Sequence, residues 1–383
     1  MKILAISHEY PPIGGGGANA ASFLLSLFAK KGHEVTLVTV GMAGMKKEEH
    51  KGKLRILRVP SKRKHKEHCS FTEMLDFIRL AGPVCEKLQK SDRFDICLVF
   101  FGIPSGPVGV KLKKKYNLPF VIRFGGGDVP GFQERFTKIY KMLGPSIKNI
   151  WRKADARIAN SEGLRELAYN FYDKEEFLII PNGVDQDTFY PGDGSTKDEG
   201  GFEILFVSRL IERKGLQFVI PQLSSLRDNI EAKGERLHLT IVGDGPYRET
   251  LLDLAKENGV SDIISFEGQK DKNQLLPYYQ RADVFILPSA KEGMPNVVLE
   301  AEACGLPIVM TPCQGSKELV GDNGYVCGTE EFGEKLLELA KNPFSRKIMG
   351  ELSLERVREN FTWEKAAEDY LEIMQRIVIE NKK

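Results

Sequence analysis

The sequence predicts an α/β protein made of two Rossmann-like, doubly wound parallel-sheet domains that face a cleft. Short β-branched runs alternate with longer helical patterns along the whole chain, which is typical of parallel sheets covered by helices on both faces. A length of 383 residues allows two domains of ordinary size, each with its own core. Ligands of such sheets bind at the carboxyl ends of the strands, so we expect the functional residues there.

Twelve segments have the composition and length of buried strands. The first series comprises Lys2–Ser7, Glu34–Val40, Leu54–Val59, Asp95–Phe101, Phe120–Phe124, Ala156–Ala159 and Phe177–Ile180. The second series comprises Glu203–Ser208, Leu237–Val242, Ile263–Phe266, Val284–Leu287 and Pro307–Met310.

A Gly- and Asp-rich stretch without apolar period, residues 191–201, predicts a linker between the two series. We therefore expect an N-terminal domain over residues 1–190 and a C-terminal domain over residues 191–361. The remaining segment, residues 362–383, has helical periodicity. We expect it to form a helix that packs back on the N-terminal domain.

Composition excludes several protein classes. Hydrophobic residues are 42% and charged residues 28% of the chain, as in soluble globular proteins. No apolar run is long enough to span a membrane, and the opening MKILAIS is too short for a signal peptide. The six cysteines include no C-x-x-C pair and the six histidines are scattered, so we predict reduced thiols, no metal site and a cytoplasmic location.

The net charge of +2 conceals an asymmetry. Residues 1–190 carry 31 basic and 20 acidic side chains, a balance of +11, and the remainder carries −9. Two basic clusters, 61–68 (SKRKHKEH) and 111–116 (KLKKKY), lie in the basic half. They suit either a solvated surface or peripheral attachment to an anionic membrane, at its inner face. Nucleic acid is not expected, because no aromatic residues are interleaved with these lysines for stacking.

Four glycines in residues 12–20 (PIGGGGANA) follow the first predicted strand and precede a helical pattern. A dinucleotide site would need a carboxylate at the end of the second strand, but that strand ends in TLVTVG. No G-K-[ST] follows either, which excludes a P-loop. A loop that presents backbone N–H groups to a phosphate or a sugar remains, with a tight structural turn as the alternative.

The second half contains three more informative stretches. Arg209 and Lys214 bracket a short loop after a strand, where two cations could converge on one phosphate group. Gly243 and Gly245 form a tight turn after the next strand.

The third stretch places two carboxylates around the start of a predicted helix. Glu292 lies in the preceding loop, Asn296 is the expected N-cap, and Glu300 follows one turn later. A helix N-terminus favours a diphosphate, and carboxylates suit sugar hydroxyls. The mixture indicates a site for a sugar joined to a phosphate.

With these stretches, the chain resembles a retaining glycosyltransferase of family 4 with the GT-B architecture. The resemblance covers essentially the whole chain and is carried by five motifs: PPIGGGGAN, IIPNGVDQDTFYPG, SRLIERKG, VGDGPYRETL and the E-x7-E segment EGMPNVVLE. It implies an N-terminal acceptor domain and a C-terminal domain that binds a nucleoside diphosphate sugar. It also implies that no metal and no other cofactor is needed.

The resemblance assigns roles residue by residue. Arg209 and Lys214 would bind the donor diphosphate, Glu292 the donor sugar and Glu300 the ribose. The remaining donor-binding residues would be Gly16, Gly17, Gly243, Gly245, Gly293, Met294, Asn296 and Val297.

One position departs from the family pattern. Gly125 stands where many members have a catalytic histidine, whereas the nearby Asp128 is retained. Asp128 and Arg123 are therefore the candidate groups in this loop.

The implied activity is transfer of a sugar to a hydroxyl of a glycan or lipid-linked acceptor, as in polysaccharide or glycolipid biosynthesis. A nucleotide-sugar epimerase of the same architecture and a non-catalytic sugar-nucleotide-binding protein remain alternatives. An epimerase would release a changed nucleotide sugar without any acceptor. A binding protein would leave Arg209, Lys214, Glu292 and Glu300 unexplained.

Overall fold

The computed structural model describes residues 1–66, 69–132, 137–195, 200–232 and 234–382. They form two compact units, the first Met1–Asn182 with Trp363–Lys383 and the second Gly183–Thr362. Each unit is a parallel-sheet α/β domain, so the predicted fold class is confirmed. None of the helices in the described ranges has the length and hydropathy of a membrane span.

The first unit contains an eight-stranded sheet. Its strands are β1 (Lys2–Ile6), β2 (Glu34–Gly41), β3 (Glu48–Lys51), β4 (Leu54–Pro60), β5 (Ile96–Phe100), β6 (Phe120–Arg123), β7 (Ala156–Ala159) and β8 (Leu178–Ile179). The order is β3-β4-β2-β1-β5-β6-β7-β8, and only the pair β3–β4 is antiparallel. The helices are α1 (Gly16–Lys30), α2 (Phe71–Asp92), α3 (Gly106–Tyr116), α4 (Thr137–Lys153), α5 (Glu162–Phe171) and the C-terminal α14 (Trp363–Asn381).

Helix α14 packs on α1, as expected from its apolar period. The Trp363 ring stacks on Phe23 with centroids 5.3 Å apart, and Lys31 Nζ lies 2.7 Å from Glu368 Oε1. The buried stripe of the helix includes Tyr370 and Met374. The last helix thus completes the first unit's core.

The second unit contains a six-stranded sheet in the order β11-β10-β9-β12-β13-β14, parallel throughout. Its strands are β9 (Gly201–Val207), β10 (Arg236–Val242), β11 (Ile264–Gly268), β12 (Val284–Leu287), β13 (Ile308–Met310) and β14 (Gly324–Val326). Its helices are α6 (Leu216–Val219), α7 (Leu223–Glu231), α8 (Arg248–Glu257), α9 (Leu276–Arg281), α10 (Asn296–Ala303), α11 (Ser316–Leu319), α12 (Phe332–Lys341) and α13 (Pro343–Asn360).

Each predicted strand overlaps an observed one, but two edge strands were not predicted. The four residues of β3 are EEHK, and a strand with one charged, half-solvated face at a sheet edge has no apolar alternation to detect. The three residues of β14 are too few to show a period.

The expected domain boundary at residue 190 also differs from the observed division at Asn182/Gly183. Val184 and Phe189 are buried in the core of the second unit. The PNGVDQDTF stretch therefore belongs to that unit. The predicted linker over 191–201 follows it, and residues 196–199 lie outside the described residues.

Candidate functional site

In the second unit, the predicted residues follow strands that are neighbours in the sheet. Strands β10, β9, β12 and β13 are adjacent and parallel, so the loops after them share the carboxyl edge of the sheet. Arg209 and Lys214 follow β9, and Glu292 follows β12. This edge is where an open α/β sheet binds its ligand.

Lys214 and Glu292 form a largely buried ion pair, with 11% and 13% of their side chains exposed. Lys214 ends a short 3-10 turn after β9, and its Nζ lies 2.5 Å from Glu292 Oε1. Ser289 Oγ donates a hydrogen bond to the same carboxylate oxygen at 2.7 Å. Two chain segments 78 residues apart thus meet at one carboxylate.

The electrostatics keep Glu292 ionised. Burial by itself would raise the pKa of this carboxyl, but the Lys214 ammonium and the Ser289 hydroxyl outweigh burial and hold it below its usual range. A charged carboxylate that accepts hydrogen bonds is suited to hold sugar hydroxyls.

The loop before Glu292 is fixed by contacts that sequence reasoning missed. The Ala290 amide donates to the Arg213 carbonyl at 3.0 Å, and Arg213 Nη1 donates to the Lys291 carbonyl at 2.7 Å. Thr311 Oγ1 holds the Ser289 carbonyl at 2.6 Å. These contacts brace the loop against the Lys214 segment on one side and β13 on the other.

Gly215 explains why the Lys214 turn can lie so close to that loop. Its φ is +79°, and a Cβ at this position would overlap the Pro288 carbonyl oxygen. Only glycine satisfies both conditions without strain. In the sequence, the glycine directly after Lys214 was the signal that could have predicted this close approach to Pro288.

Arg209 is exposed, and its side chain has no hydrogen bond or ion pair among the described residues. Gly243 and Gly245 support its loop, because a Cβ on either would overlap the carbonyl oxygen of Ser208 or Leu210 respectively. The two glycines therefore allow the loop after β10 to pack directly on the loop that carries Arg209. Their observed role is close packing.

Helix α10 begins one residue earlier than predicted. Asn296 is its first residue and Pro295 occupies the N-cap position, so the expected Asn296 side-chain cap is wrong. Proline at the N-cap has the extended backbone that this position requires, with φ −72° and ψ 115°. Gly293 and Met294 are buried in front of the helix, and Val297 lies half-buried in its first turn.

Glu300 lies within α10 and contacts Tyr279. The Tyr279 hydroxyl donates to Glu300 Oε2 at 3.0 Å, and the Tyr279 ring is fully buried. Burial raises the pKa of Glu300 to about 7, although the Tyr279 hydrogen bond and Lys272 oppose that shift. Its charge therefore changes close to neutral pH.

In the first unit, the predicted glycine loop leads directly into α1. Gly16 is the first helical residue. A Cβ on Gly17 would lie 2.5 Å from Phe101 Cζ, and a Cβ on Gly125 would overlap the same ring. The Phe101 ring therefore fills the space beside Gly125 that a larger side chain there would need.

Phe101 is held in an unusual backbone conformation. Its φ of +69° is rare for a bulky residue. The carboxylate of Asp128 accepts hydrogen bonds from the amides of Gly102 at 2.6 Å and Gly125 at 2.8 Å, which ties the loops after β5 and β6 together. His8 packs edge-on against Phe101 with ring centroids 4.7 Å apart.

Asp128 and Arg123 are both buried and engaged in this unit. Burial raises the pKa of Asp128 to about 6, although its amide hydrogen bonds oppose the shift. Arg123 Nη2 donates to Asn182 Oδ1 at 2.6 Å. Asp128 therefore joins the loops after β5 and β6. Arg123 joins the end of β6 to Asn182.

In the basic cluster at 61–68, Arg63 departs from the expected solvated or membrane-facing surface, whereas Lys62, Lys64 and Lys66 are exposed. Arg63 is buried and donates to the carbonyls of His8, His65 and Lys66 at 3.0–3.1 Å and to Glu9 Oε1 at 3.3 Å. The Gly14 amide in turn donates to the Lys66 carbonyl at 2.8 Å. Arg63 and the Lys66 carbonyl thus anchor the glycine loop. Residues 67 and 68 of the cluster lie outside the described residues.

The cluster at 111–116 is partly neutralised by two carboxylates. Lys111 and Lys115 both pair with Glu86, and Lys113 pairs with Asp155 at 2.7 Å. Three of its four lysines therefore have an acidic partner.

Two family models match the chain. The model described as "Glycosyltransferase Family 4" matches residues 14–188, and the model described as "Glycosyl transferases group 1" matches residues 201–342. Together they cover both units.

The chain is similar to curated and solved proteins over its whole length. It is 25% identical to an uncharacterized glycosyltransferase of Methanocaldococcus jannaschii, covering 95% of each chain. It is 25% identical to N-acetyl-alpha-D-glucosaminyl L-malate synthase of Bacillus anthracis, covering 94% of this chain and 93% of the other. The sucrose-phosphate synthase structure from Thermosynechococcus elongatus superposes with a TM-score of 0.85 at 20% identity, covering 99% and 100%.

Proposed function

Because the chain belongs to glycosyltransferase family 4 and has the GT-B fold, we propose that it transfers a sugar from a nucleoside diphosphate sugar to a hydroxyl group of a glycan or lipid-linked acceptor. The proposal includes retention of the anomeric configuration and independence from metal ions. The single observation that carries it is the Lys214–Glu292 ion pair at the carboxyl edge of the second sheet.

In this proposal the second unit binds the donor. Arg209 and Lys214 contact the diphosphate, and the N-terminus of α10 faces the same charge. Glu292 accepts hydrogen bonds from the sugar hydroxyls and Glu300 from the ribose.

The reaction breaks the bond between the sugar C1 and the diphosphate oxygen. Negative charge develops on that oxygen, so cations directed at it stabilise the transition state more than the ground state. The acceptor hydroxyl attacks C1 from the side of the leaving group, and a phosphate oxygen takes the hydroxyl proton. The products are the glycosylated acceptor and a nucleoside diphosphate.

The first unit would hold the acceptor. Its residues, 1–182 and 363–383, carry 35 basic and 23 acidic side chains, a balance of +12, which suits an anionic or lipid-linked glycan and a peripheral position at an anionic membrane.

The proposal is tested by incubating the protein with UDP-, GDP- and ADP-linked sugars and following release of the nucleoside diphosphate, with and without EDTA. We expect slow release to water with one donor base, and the same rate in EDTA. No release from any donor, or release of an altered nucleotide sugar instead, would contradict the transferase. Loss of activity in EDTA that Mg²⁺ restores would contradict metal independence.

A further inference from the structure

Glu302 is a fully buried carboxyl of α10 that has no part in the proposed reaction. It follows Glu300 by two positions, and such positions lie about 200° apart around a helix axis. The two carboxyls therefore contact different parts of the second unit. Glu300 contacts Tyr279 of α9, whereas Glu302 contacts Asn323 in the loop before β14.

Asn323 and Ser353 link Glu302 to α13. Asn323 Nδ2 donates a hydrogen bond to Glu302 Oε1 at 3.0 Å and another to Ser353 Oγ at 3.2 Å. The Ser353 hydroxyl donates in turn to the Leu306 carbonyl at 2.8 Å, just after the end of α10. We call Glu302, Asn323 and Ser353, which are all buried, the Glu302 network. It joins α10 to α13 through side chains alone.

The backbones of the same two elements are also in close contact. A Cβ on Gly350 of α13 would lie 2.3 Å from the Gly305 carbonyl oxygen, and Gly305 has a φ of +75°. Glycine at both positions permits this approach without strain. The Glu302 network is therefore enclosed by packed protein.

The surroundings of Glu302 do not compensate a negative charge. Strands β12 and β13, which pack against α10, contribute only the apolar residues VFIL and IVM. Arg356 of α13 is the charged group that acts on Glu302, but its guanidinium donates to the carbonyls of Glu318 and Leu319. Within the described ranges Glu302 forms no ion pair, and its Oε2 has no hydrogen-bond partner.

Burial raises the pKa of Glu302 well above its usual range, although Asn323 and Arg356 oppose that shift. One neutral amide donor is too little to hold a carboxylate away from water, so the protonated acid is the stable form.

We propose that Glu302 is a positioning residue that acts as a protonated, neutral acid and holds α10 against α13. The neutral acid accepts the Asn323 hydrogen bond without burying a charge. An ionised Glu302 would place an unpaired charge between the two helices and favour their separation. The link to donor binding rests on the proposed function, in which Glu300 and the N-terminus of α10 contact the donor.

The charge state is tested by urea unfolding of the full-length protein between about pH 5.5 and 8. A neutral Glu302 releases its proton only on unfolding in this range. The original protein should therefore lose stability relative to Glu302→Gln as pH rises, by up to about tenfold in the folded-to-unfolded ratio per pH unit. The matched control Glu351→Gln, which changes an exposed carboxylate of α13, should follow the original protein at every pH.

The positioning role is tested by hydrogen exchange of the α10 amides and by calorimetric affinity for UDP, GDP and ADP. Glu302→Gln keeps a carbonyl that accepts from Asn323 and should match the original protein in both measurements. Glu302→Met fills the space without accepting a hydrogen bond. It should speed α10 exchange and weaken binding of the preferred nucleotide, each by about fivefold.

Lower stability of Glu302→Gln by the same amount at every pH would overturn the proposal, because Glu302 would then be ionised in the folded protein. Equal α10 exchange in Glu302→Met and Glu302→Gln would overturn the positioning role, and equal nucleotide affinity would overturn its link to the donor. If the original protein binds none of the three nucleotides, the proposed function fails. The urea and exchange measurements then still decide whether a neutral Glu302 holds α10 in place.

Discussion

The loops at the carboxyl edges of the two sheets differ in chemistry. In the second unit they present charge: Arg209 is exposed, and Lys214 and Glu292 form an ion pair. In the first unit the loops are closed by packing, with the Phe101 ring filling the space beside Gly17 and Gly125. The difference supports the proposal that the second unit, rather than the first, stabilises the charge of a leaving group, because the loops of the first unit are occupied by packing contacts.

This contrast is tested most strongly by Arg209→Met. Loss of one cation aimed at a developing negative charge costs about 3 kcal/mol, or roughly 100-fold in kcat. The fold should not change, because the exposed Arg209 side chain makes no hydrogen bond or ion pair in the described ranges. Turnover with the preferred donor is measured beside Lys256→Met, an exposed lysine of α8 in the same unit. Equal activities would remove Arg209 from the donor site.

The closed packing of the first unit is tested by Gly125→His. The new side chain must displace Phe101, and overpacking of this kind costs about 1–3 kcal/mol of folding free energy. The companion variant Phe101→Ala/Gly125→His should lose less stability than the sum of its two single changes.

The thermal unfolding midpoint provides the measurement for this pair of variants. Gly82→Ala in α2 is the control, since its added methyl group meets no atom within 4 Å. Additive losses in the double variant would show that Phe101 does not occupy the space beside Gly125.

The anchoring of the glycine loop predicts a smaller effect for Arg63→Gln. The charged Arg63 donates to three carbonyls, so its removal should cost about 2 kcal/mol. Lys64→Gln, the exposed next residue, should change stability by less than about 0.5 kcal/mol. Similar thermal unfolding midpoints for both variants would show that Arg63 does not anchor the glycine loop.

The smallest expected effect concerns pH. The pKa of Glu300 is raised to about 7 by burial, so the carboxylate that would accept the ribose hydroxyls is present above that pH and lost below it. The kcat/KM for the donor should therefore rise as pH increases through about 7. Tyr279→Phe removes a hydrogen bond that lowers this pKa and should move the midpoint upward.

Glu300→Gln distinguishes the titration of Glu300 from that of other groups with similar pKa values, such as Asp128. Its kcat/KM should be lower than that of the original protein and should lack the rise centred near pH 7. A profile identical to the original would show that another group is responsible.

The sequence predicted the fold class and several features of the second-unit site because those features are local. Local sequence patterns predict the alternating strands and helices, the cations after β9 and the carboxylates around α10. The Lys214–Glu292 contact itself was not, because the pairing joins residues 78 positions apart. The parallel order of β9 and β12 brings them together.

The first unit was predicted less well for the same physical reason. Arg63 belongs to a cluster that reads as solvated charge, and only tertiary structure shows its buried carbonyl partners. Phe101 reads as the end of a strand, yet its positive φ turns the ring toward Gly17 and Gly125. The predicted N-cap of α10 was wrong by one residue, because Pro295 rather than Asn296 adopts the extended N-cap conformation.

The most direct test of the account separates binding from catalysis at Lys214. Donor affinity is measured by calorimetry and kcat by nucleoside diphosphate release, for the original protein, Lys214→Met and Lys214→Met/Glu292→Gln. The double variant is included because Lys214→Met alone leaves a buried carboxylate unpaired, which destabilises the fold by about 3–5 kcal/mol.

Both variants should lose at least about 100-fold in kcat and less than about tenfold in donor affinity. The double variant should recover much of the lost stability but none of the lost activity. A kcat close to that of the original protein, or a loss confined to donor affinity, would contradict the assignment of Lys214 to the leaving diphosphate.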